Sequence, residues 1–240
     1  MNSQFIFLTQ KEIDKPIYKI LKFDYLLEMF SSRRNTLLNP SKWDDPYENL
    51  FLNSKVEYIN GVSLQSELGK SIFSQCWSFT KESDAMWRIY SHDNNAVKIS
   101  TTPRKLFSSL FNIDNNIQKV FVGKVKYIKS LDLQSLYDTN AKNWVFEEGG
   151  LGICRTLLYK RYPFKHENEV RLIYNTFINA EKHILKYDFN PHILIDSIVF
   201  DPRLDYPLFK ERKVRLKELG FKKTIIKSNL YKLPVYNVIK

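Results

Sequence analysis

The chain is poor in the residues that carry covalent or metal chemistry. Its two cysteines, Cys76 and Cys154, lie far apart and form no C-x-x-C pair, which favours reduced core thiols over a disulfide framework. The four histidines, His92, His166, His183 and His192, show no metal-ligand spacing, and there is no H-E-x-x-H, no Gly-Lys-Ser/Thr phosphate loop and no G-x-S-x-G elbow. No bound metal is therefore expected, although the Asp44-Asp45 pair keeps a metal-dependent nuclease open as an alternative. Seven glycines leave little room for flexible joints, and no repeat or heptad run appears, so residues 1–240 are expected to form a single domain. No apolar run approaches the roughly 20 residues of a membrane span. Phe5-Ile6-Phe7-Leu8 is preceded by no basic segment and followed by no small-residue cleavage site. The expectation is a cytoplasmic protein without a membrane partner.

Apolar residues and rings are plentiful. The hydrophobic fraction is 43% and the aromatic fraction 15%, enough for a packed core with rings to spare for a cleft. The formal charge of +11 is uneven. Between Lys210 and Lys232 nine basic residues face only Glu211 and Glu218, a net +7. A basic C-terminal region at about 205–232 attracts polyanions, with a strong salt dependence. Arg212, Lys213, Arg215, Lys217, Lys222 and Lys223 are its candidate nucleic-acid contacts; a solvated helix face is the plainer alternative.

Local patterns predict a short strand at Tyr18–Leu21, then a helix capped by Asp24 with Tyr25, Leu26, Met29 and Phe30 on one face. Thr36–Leu38 reads as a strand closed by Asn39-Pro40, and Trp43–Glu48 as an ordered loop. From Ile72 to Thr80, Phe73, Gln75, Trp77 and Phe79 fall on one face and Ser74, Cys76 and Ser78 on the other, a half-buried strand. A helix capped by Ser83 carries Met86, Trp87 and Tyr90, Ala96–Ser100 is a strand, and Thr102-Pro103 opens a helix. Phe121, Val125 and Tyr127 mark a strand, and Gly149–Tyr162 reads as a helix. Strands follow at Glu169–Tyr174, Ile184–Phe189 and Ile193–Phe200. A basic helix at about Asp205–Leu219 is closed by Gly220, and the last strands lie near Thr224–Ile226 and Pro234–Val238. Strands clustered late and joined by short connections indicate an α+β fold with mixed or antiparallel sheets and flanking helices.

The densest chemistry lies in His166-Glu167-Asn168-Glu169-Val170-Arg171. On a strand, Val170, Leu172 and Tyr174 face one side while Glu167, Glu169 and Arg171 share the other. Two carboxylates and a guanidinium on one face either neutralise one another at a surface or line a polar cleft. Beside Trp77, Trp87 and Tyr90 such a face makes a pocket for a planar cationic ring.

Several segments resemble the bacterial family known as Domain of Unknown Function 2971, which includes abortive-infection-type proteins. They are Tyr18-Lys19, Asn39-Pro40 through Trp43-Asp44-Asp45-Pro46-Tyr47-Glu48, Phe79 with Met86-Trp87-x-x-Tyr90, and Glu167-x-Glu169-x-Arg171. Ile198-Val199-Phe200-x-Pro202 and Ser228-x-Leu230-Tyr231 complete the order, while Asp93-Asn94-Asn95-Ala96 replaces the family's usual glycine. More distantly, the strand-helix-strand opening, the Ser/Thr-bearing central strand and the late E-x-E strand are similar to the ADP-ribosyltransferase fold of DarT-type DNA-modifying toxins. That resemblance implies an NAD-dependent ADP-ribosyltransferase. Glu169 would stabilise the cation formed as nicotinamide leaves, Glu167 would act on the acceptor, and Tyr18, Lys19, Ser78, Thr80, Trp87 and Tyr90 would hold NAD. A nucleic acid, DNA or RNA, would be the acceptor, with an antitoxin or other defence-system partner restraining the enzyme. A non-catalytic nucleic-acid or protein-binding module of a defence system is the alternative from another class.

Overall fold

The computed structural model describes residues 3–52, 55–57, 63–65, 68–114, 119–147, 150–176 and 182–234. In chain order the elements are β1 (Phe5–Ile6), α1 (Gln10–Ile13), β2 (Ile17–Lys22), α2 (Phe23–Ser32), β3 (Arg34–Leu38), β4 (Lys55–Glu57), β5 (Ser63–Gln65), β6 (Ile72–Ser78), α3 (Asp84–Tyr90) and β7 (Ala96–Thr101). They continue with α4 (Pro103–Asp114), β8 (Val120–Lys124), β9 (Lys126–Ile128), α5 (Ser130–Phe146), α6 (Leu151–Thr156), β10 (Tyr159–Arg161) and β11 (Glu169–Asn175). The last are β12 (Ile184–Asp188), α7 (Pro191–Leu194), β13 (Ser197–Phe200), α8 (Tyr206–Glu218) and β14 (Thr224–Lys227).

Ten strands form one mixed sheet in the order β1-β8-β11-β6-β2-β7-β13-β14, with β3 joined to β6 and β12 to β3. The α+β expectation is met. The period-2 alternation decides which face each side chain serves. Phe73, Trp77, Val170 and Leu172 enter one core, with Leu26 and Phe30 of α2 and Leu106 of α4. Ile72, Phe121 and Ile173 enter a second core, with Leu133 and Trp144 of α5 and Ile153 and Cys154 of α6. No helix among the described residues is long and apolar enough to cross a membrane.

Several local readings change. Asp24 lies in the first turn of α2, whose N-cap is Lys22 with no side-chain cap. Ser83 is the N-cap of α3 but also makes no side-chain cap bond. The predicted helix over Gly149–Tyr162 stops at Thr156, because Tyr159–Arg161 pairs in parallel with Lys126–Ile128. Phe121 and Tyr127 therefore belong to two strands, β8 and β9. The Ile193–Phe200 reading divides into α7 and β13, since Asn190 caps a short turn whose Pro191 stands in its first positions. Gly220 follows α8 at φ 83°, the left-handed position that glycine takes without steric cost. Residues 235–238 of the last predicted strand lie outside the described residues.

β11 is central and antiparallel to both neighbours, pairing all seven residues with β6 and five with β8. Gly123 of β8 stands opposite Arg171. A Cβ there would run into the buried Leu158 side chain, which follows the carbonyl of Leu157 that Arg171 uses. Gly123→Ala is therefore expected to lower stability by about 1–3 kcal/mol, the usual cost of overpacking. Thermal unfolding measures it, and an unchanged midpoint would show that Leu158 gives way freely.

Candidate active site

β6 is fully paired on one side only. On the other it meets β3 at Leu38–Ser74 and β2 at Tyr18–Ser78. Between these bridges the sheet splits. Gln75 spans part of the gap with its side chain, donating from Nε2 to Asn35 Oδ1 at 2.9 Å and to the Thr36 carbonyl at 3.1 Å, and accepting from Trp77 Nε1 at 2.9 Å. Lys19 Nζ fills another part by donating to the Cys76 carbonyl at 3.2 Å. A cavity of about 700 Å³ occupies the split. Its walls include Tyr25 and Met29 of α2, Asn35 and Thr36 of β3, Trp43, Tyr90 and Phe164, and a group of buried charges.

Those charges form one network. Arg171 is fully buried. Its Nε donates to Glu169 Oε2 at 2.6 Å, its Nη1 to the Leu157 carbonyl at 2.7 Å and its Nη2 to Glu48 Oε2. The guanidinium carbon lies 4.3 Å from the Trp43 ring centroid. Lys160 Nζ reaches Glu167 Oε2 at 2.5 Å, Glu169 Oε1 at 2.8 Å and Glu48 Oε1 at 3.2 Å. Glu167 is not on the strand. It ends the 3-10 turn over Tyr162–Glu167, and Asn168 follows at φ 45° before β11 begins. The Ser78 hydroxyl ties this corner down by donating to the Glu167 carbonyl at 2.5 Å. The Glu169 amide donates to the Tyr127 hydroxyl at 2.8 Å, so both ends of the E-x-E pair are anchored.

The two carboxylates differ in environment. Burial pushes Glu169 up, but the Arg171 and Lys160 charges outweigh it and hold the group well below the usual carboxylate range. Burial, then the hydrogen bond and charge of Glu169, push Glu167 up to about 7, against the opposing pull of Lys160. Burial also raises the Tyr90 and Tyr127 phenols and takes the Cys76 thiol to about 12. Near neutrality the site holds an ionised carboxylate beside one that exchanges its proton, the division of labour that acid–base chemistry requires.

Of the residues predicted from sequence, Lys19, Tyr90, Glu167 and Glu169 meet on the cavity wall. Tyr18, Ser78, Thr80 and Trp87 are not among the residues that line it. Trp87 is fully buried and donates to Glu82 Oε1 at 3.1 Å. The Tyr18 ring faces Lys98 at 5.7 Å, and Ser78 receives the Thr80 amide at 2.9 Å. Trp77 is a core residue. Sequence reasoning missed Lys160 and Glu48. Glu48 sits in the Trp43–Glu48 loop that had drawn notice as a motif, whereas nothing in Tyr159-Lys160-Arg161 distinguishes Lys160 from a surface lysine. Asp45 is engaged as a cap for the Tyr47 amide and as the partner of Arg161 at 2.9 Å. Among the described residues no group of His, Cys, Asp and Glu is arranged to hold a metal.

The basic segment is elsewhere. β14 is the far edge of the sheet, four strand steps from β6, or about 19 Å at ~4.8 Å per step. Arg215, Lys217 and Lys222 are exposed there. Arg212 packs over the Phe23 ring at 4.6 Å and Lys213 over Phe209 at 5.6 Å, while Lys223 donates to the Ile195 carbonyl at 2.7 Å.

No family model and no curated protein matches the chain, so the Domain of Unknown Function 2971 resemblance rests on its motifs. Among solved structures the chain is similar to Thermus sp. 2.9 DarT in complex with NAD+, at 13% identity and a TM-score of 0.40, over 89% of this chain and 95% of that one. The same protein in complex with carba-NAD+ gives a TM-score of 0.39 over the same shares, and in complex with ADP-ribosylated ssDNA 0.40 over 89% and 94%, both at 13% identity.

The raised Glu167 carboxyl has a signed consequence for stability. A folded-state value near 7, above the ordinary 4.5, means a contribution present at acid pH and lost as pH rises through about 7. The wild type should lose on the order of 1–2 kcal/mol between pH 5 and 8, less than full linkage because the carboxyl borders the cavity rather than the apolar core. Glu167→Gln should not show this loss. Chemical denaturation of both proteins across that range tests it; parallel curves would refute the assignment.

Proposed function

We propose that this chain is an ADP-ribosyltransferase-like enzyme that uses NAD as a substrate to modify a nucleic acid, acting as a toxin or phage-defence effector restrained by an antitoxin-like partner. The observation that carries this reading is a carboxylate held ionised, Glu169, at the start of the central strand β11 and lining a cavity with aromatic walls where the sheet splits. The cavity volume suits a dinucleotide rather than a metabolite of a few atoms. Tyr90, Phe164 and Trp43 offer faces to a planar cationic ring. As the bond between ribose and nicotinamide breaks, its electron pair leaves with neutral nicotinamide and positive charge develops on the ribose. Glu169 stabilises that charge without reorganising, because Arg171 and Tyr127 already hold it in place. The acceptor then bonds to the ribose carbon and loses its proton to Glu167. The exposed cations Arg215, Lys217 and Lys222 supply long-range attraction for the polyanion.

A second reading, a non-catalytic binding module, draws on one observation: Arg171 and Lys160 already occupy both oxygens of Glu169. Glu169→Gln separates the two. For the enzyme, turnover per folded molecule falls by roughly 10²–10³-fold, measured with labelled NAD and mixed DNA, RNA and protein acceptors. Stability also falls, because Arg171 loses one of its two charge partners and keeps Glu48. Full turnover per folded molecule in the variant would remove Glu169 from the chemistry, and a wild type inert toward NAD would leave the binding module standing.

Polyanion binding has its own check. Replacing Lys213, Arg215, Lys217 and Lys222 with glutamine should weaken nucleic-acid affinity and flatten its salt dependence by up to ~0.9 in log–log slope per lost phosphate contact. Identical slopes for the two proteins would assign these residues to solubility.

A further inference from the structure

Lys160 is one ammonium among three carboxylates: it donates to Glu167 and Glu169 and lies 3.2 Å from Glu48 Oε1. Glu48 and Glu169 each have a second cation, because Arg171 bonds both. Among the described residues Glu167 pairs with no cation but Lys160; beyond its contact with Glu169 it meets the Tyr90 hydroxyl, at 3.5 Å. Two cations balance Glu48 and Glu169, so Glu167 is the surplus charge. We infer that Lys160 is a positioning residue that assigns the roles within the carboxylate pair, helping Arg171 keep Glu169 ionised and being the contact that lets Glu167 ionise at all. The inference rests on the catalytic reading of the pair.

The other groups around Glu167 leave the assignment intact. Tyr90 from α3, Tyr127 from β9 and Cys76 from β6 are all driven upward by burial and stay neutral near pH 7. Arg171 from β11 is held charged, and Lys19 from β2 is engaged with the Cys76 carbonyl. His166, beside Glu167 on its own turn, is exposed and faces the Pro163 carbonyl at 3.2 Å, so the readout must be specific to the carboxyl. Lys160 cannot turn to water without giving up buried contacts, since its side chain is only 6% exposed and lies 4.7 Å from the Phe164 ring centroid. A lysine on the outer rim of the cavity could not set the order in this way.

The test is a titration of the Glu167 carboxyl by NMR in protein labelled with ¹³C at the glutamate side-chain carboxyls, the signal assigned by its loss in Glu167→Gln. The wild type should half-titrate near 7. Lys160→Met should raise the midpoint by about one unit or more, and Lys160→Arg, which restores a cation, should keep it within about half a unit of wild type. A folded Lys160→Met protein with an unchanged or lower midpoint would overturn the inference. If that variant does not fold, the Lys160 ¹⁵Nζ resonance of the wild type decides: it must move with the same midpoint as the Glu167 carboxyl, and a signal indifferent to that titration refutes the role. Neither readout uses NAD, so inertness toward NAD would count against the catalytic reading and not against the proton assignment. In an active protein, the pH profile of transfer should move with the Lys160→Met midpoint.

Discussion

A guanidinium with no access to water organises this molecule. Arg171 stands on the most extensively paired strand and binds three separate pieces of chain: Glu169 two residues away, Glu48 in the loop after β3, and the carbonyl of Leu157 after α6. Burying such a charge is costly unless every donor finds a partner, and removing one partner of a buried pair typically costs about 3–5 kcal/mol. The Trp43–Glu48 loop is therefore committed to one position. With it come the Trp43 ring and Asp45, which line the cavity, Asp45 being held by Arg161. The glycine opposite Arg171 belongs to the same constraint, because the space without a side chain is where Leu158 packs.

The split beside β6 is the complement of that rigidity. A sheet opens between two strands only where something other than backbone pairing satisfies the edge. Here Gln75 and Lys19 take that role, one bridging to β3 and the other capping the Cys76 carbonyl. Both are polar side chains in largely apolar surroundings, and burial lowers the affinity of the Lys19 amine for its proton. The opening is thus built from the sequence of β2 and β6, while β11 on the closed side supplies the charges facing it.

Much of the frame was legible in alternation. Val170, Leu172, Phe73 and Trp77 point to the core as period 2 requires, and the polar face of Glu169-x-Arg171 lies opposite. The fold class, the basic helix and its closing Gly220 followed from the same local rules. What local rules could not supply was tertiary: the stop of α6 before Tyr159 depends on a partner strand more than thirty residues earlier in the chain. Lys160 becomes a site residue only through that pairing, which turns its side chain toward Glu167 and Glu169. Trp87 shares a helical stripe with Met86 and Tyr90, a pattern that fits a core more readily than a cleft, and it is fully buried with Glu82 and Lys98 beside it. Glu48 occupies an intermediate place, visible as part of the Trp43–Glu48 motif, with its partners Arg171 and Lys160 set only by the fold.

Charge is distributed so that the exposed basic edge and the buried charge network stay apart. The net +11 of the chain does not reach the cavity, where Lys19, Lys160 and Arg171 face Glu48, Glu167 and Glu169. The excess collects about four strands away on α8 and the approach to β14, with α2 between: Phe23 of that helix meets Arg212, and Tyr25 and Met29 line the cavity. Exposed cations act over roughly a Debye length and fade as salt rises. The buried network is screened little, because its members are in direct contact and away from bulk water. An anionic polymer gathered at the basic edge would therefore feel the ionic strength of the medium, whereas the protonation order at Glu167 and Glu169 would not. The two properties can vary independently in sequence, since the exposed cations lie on α8 and the approach to β14 while Glu169 and Arg171 lie on β11.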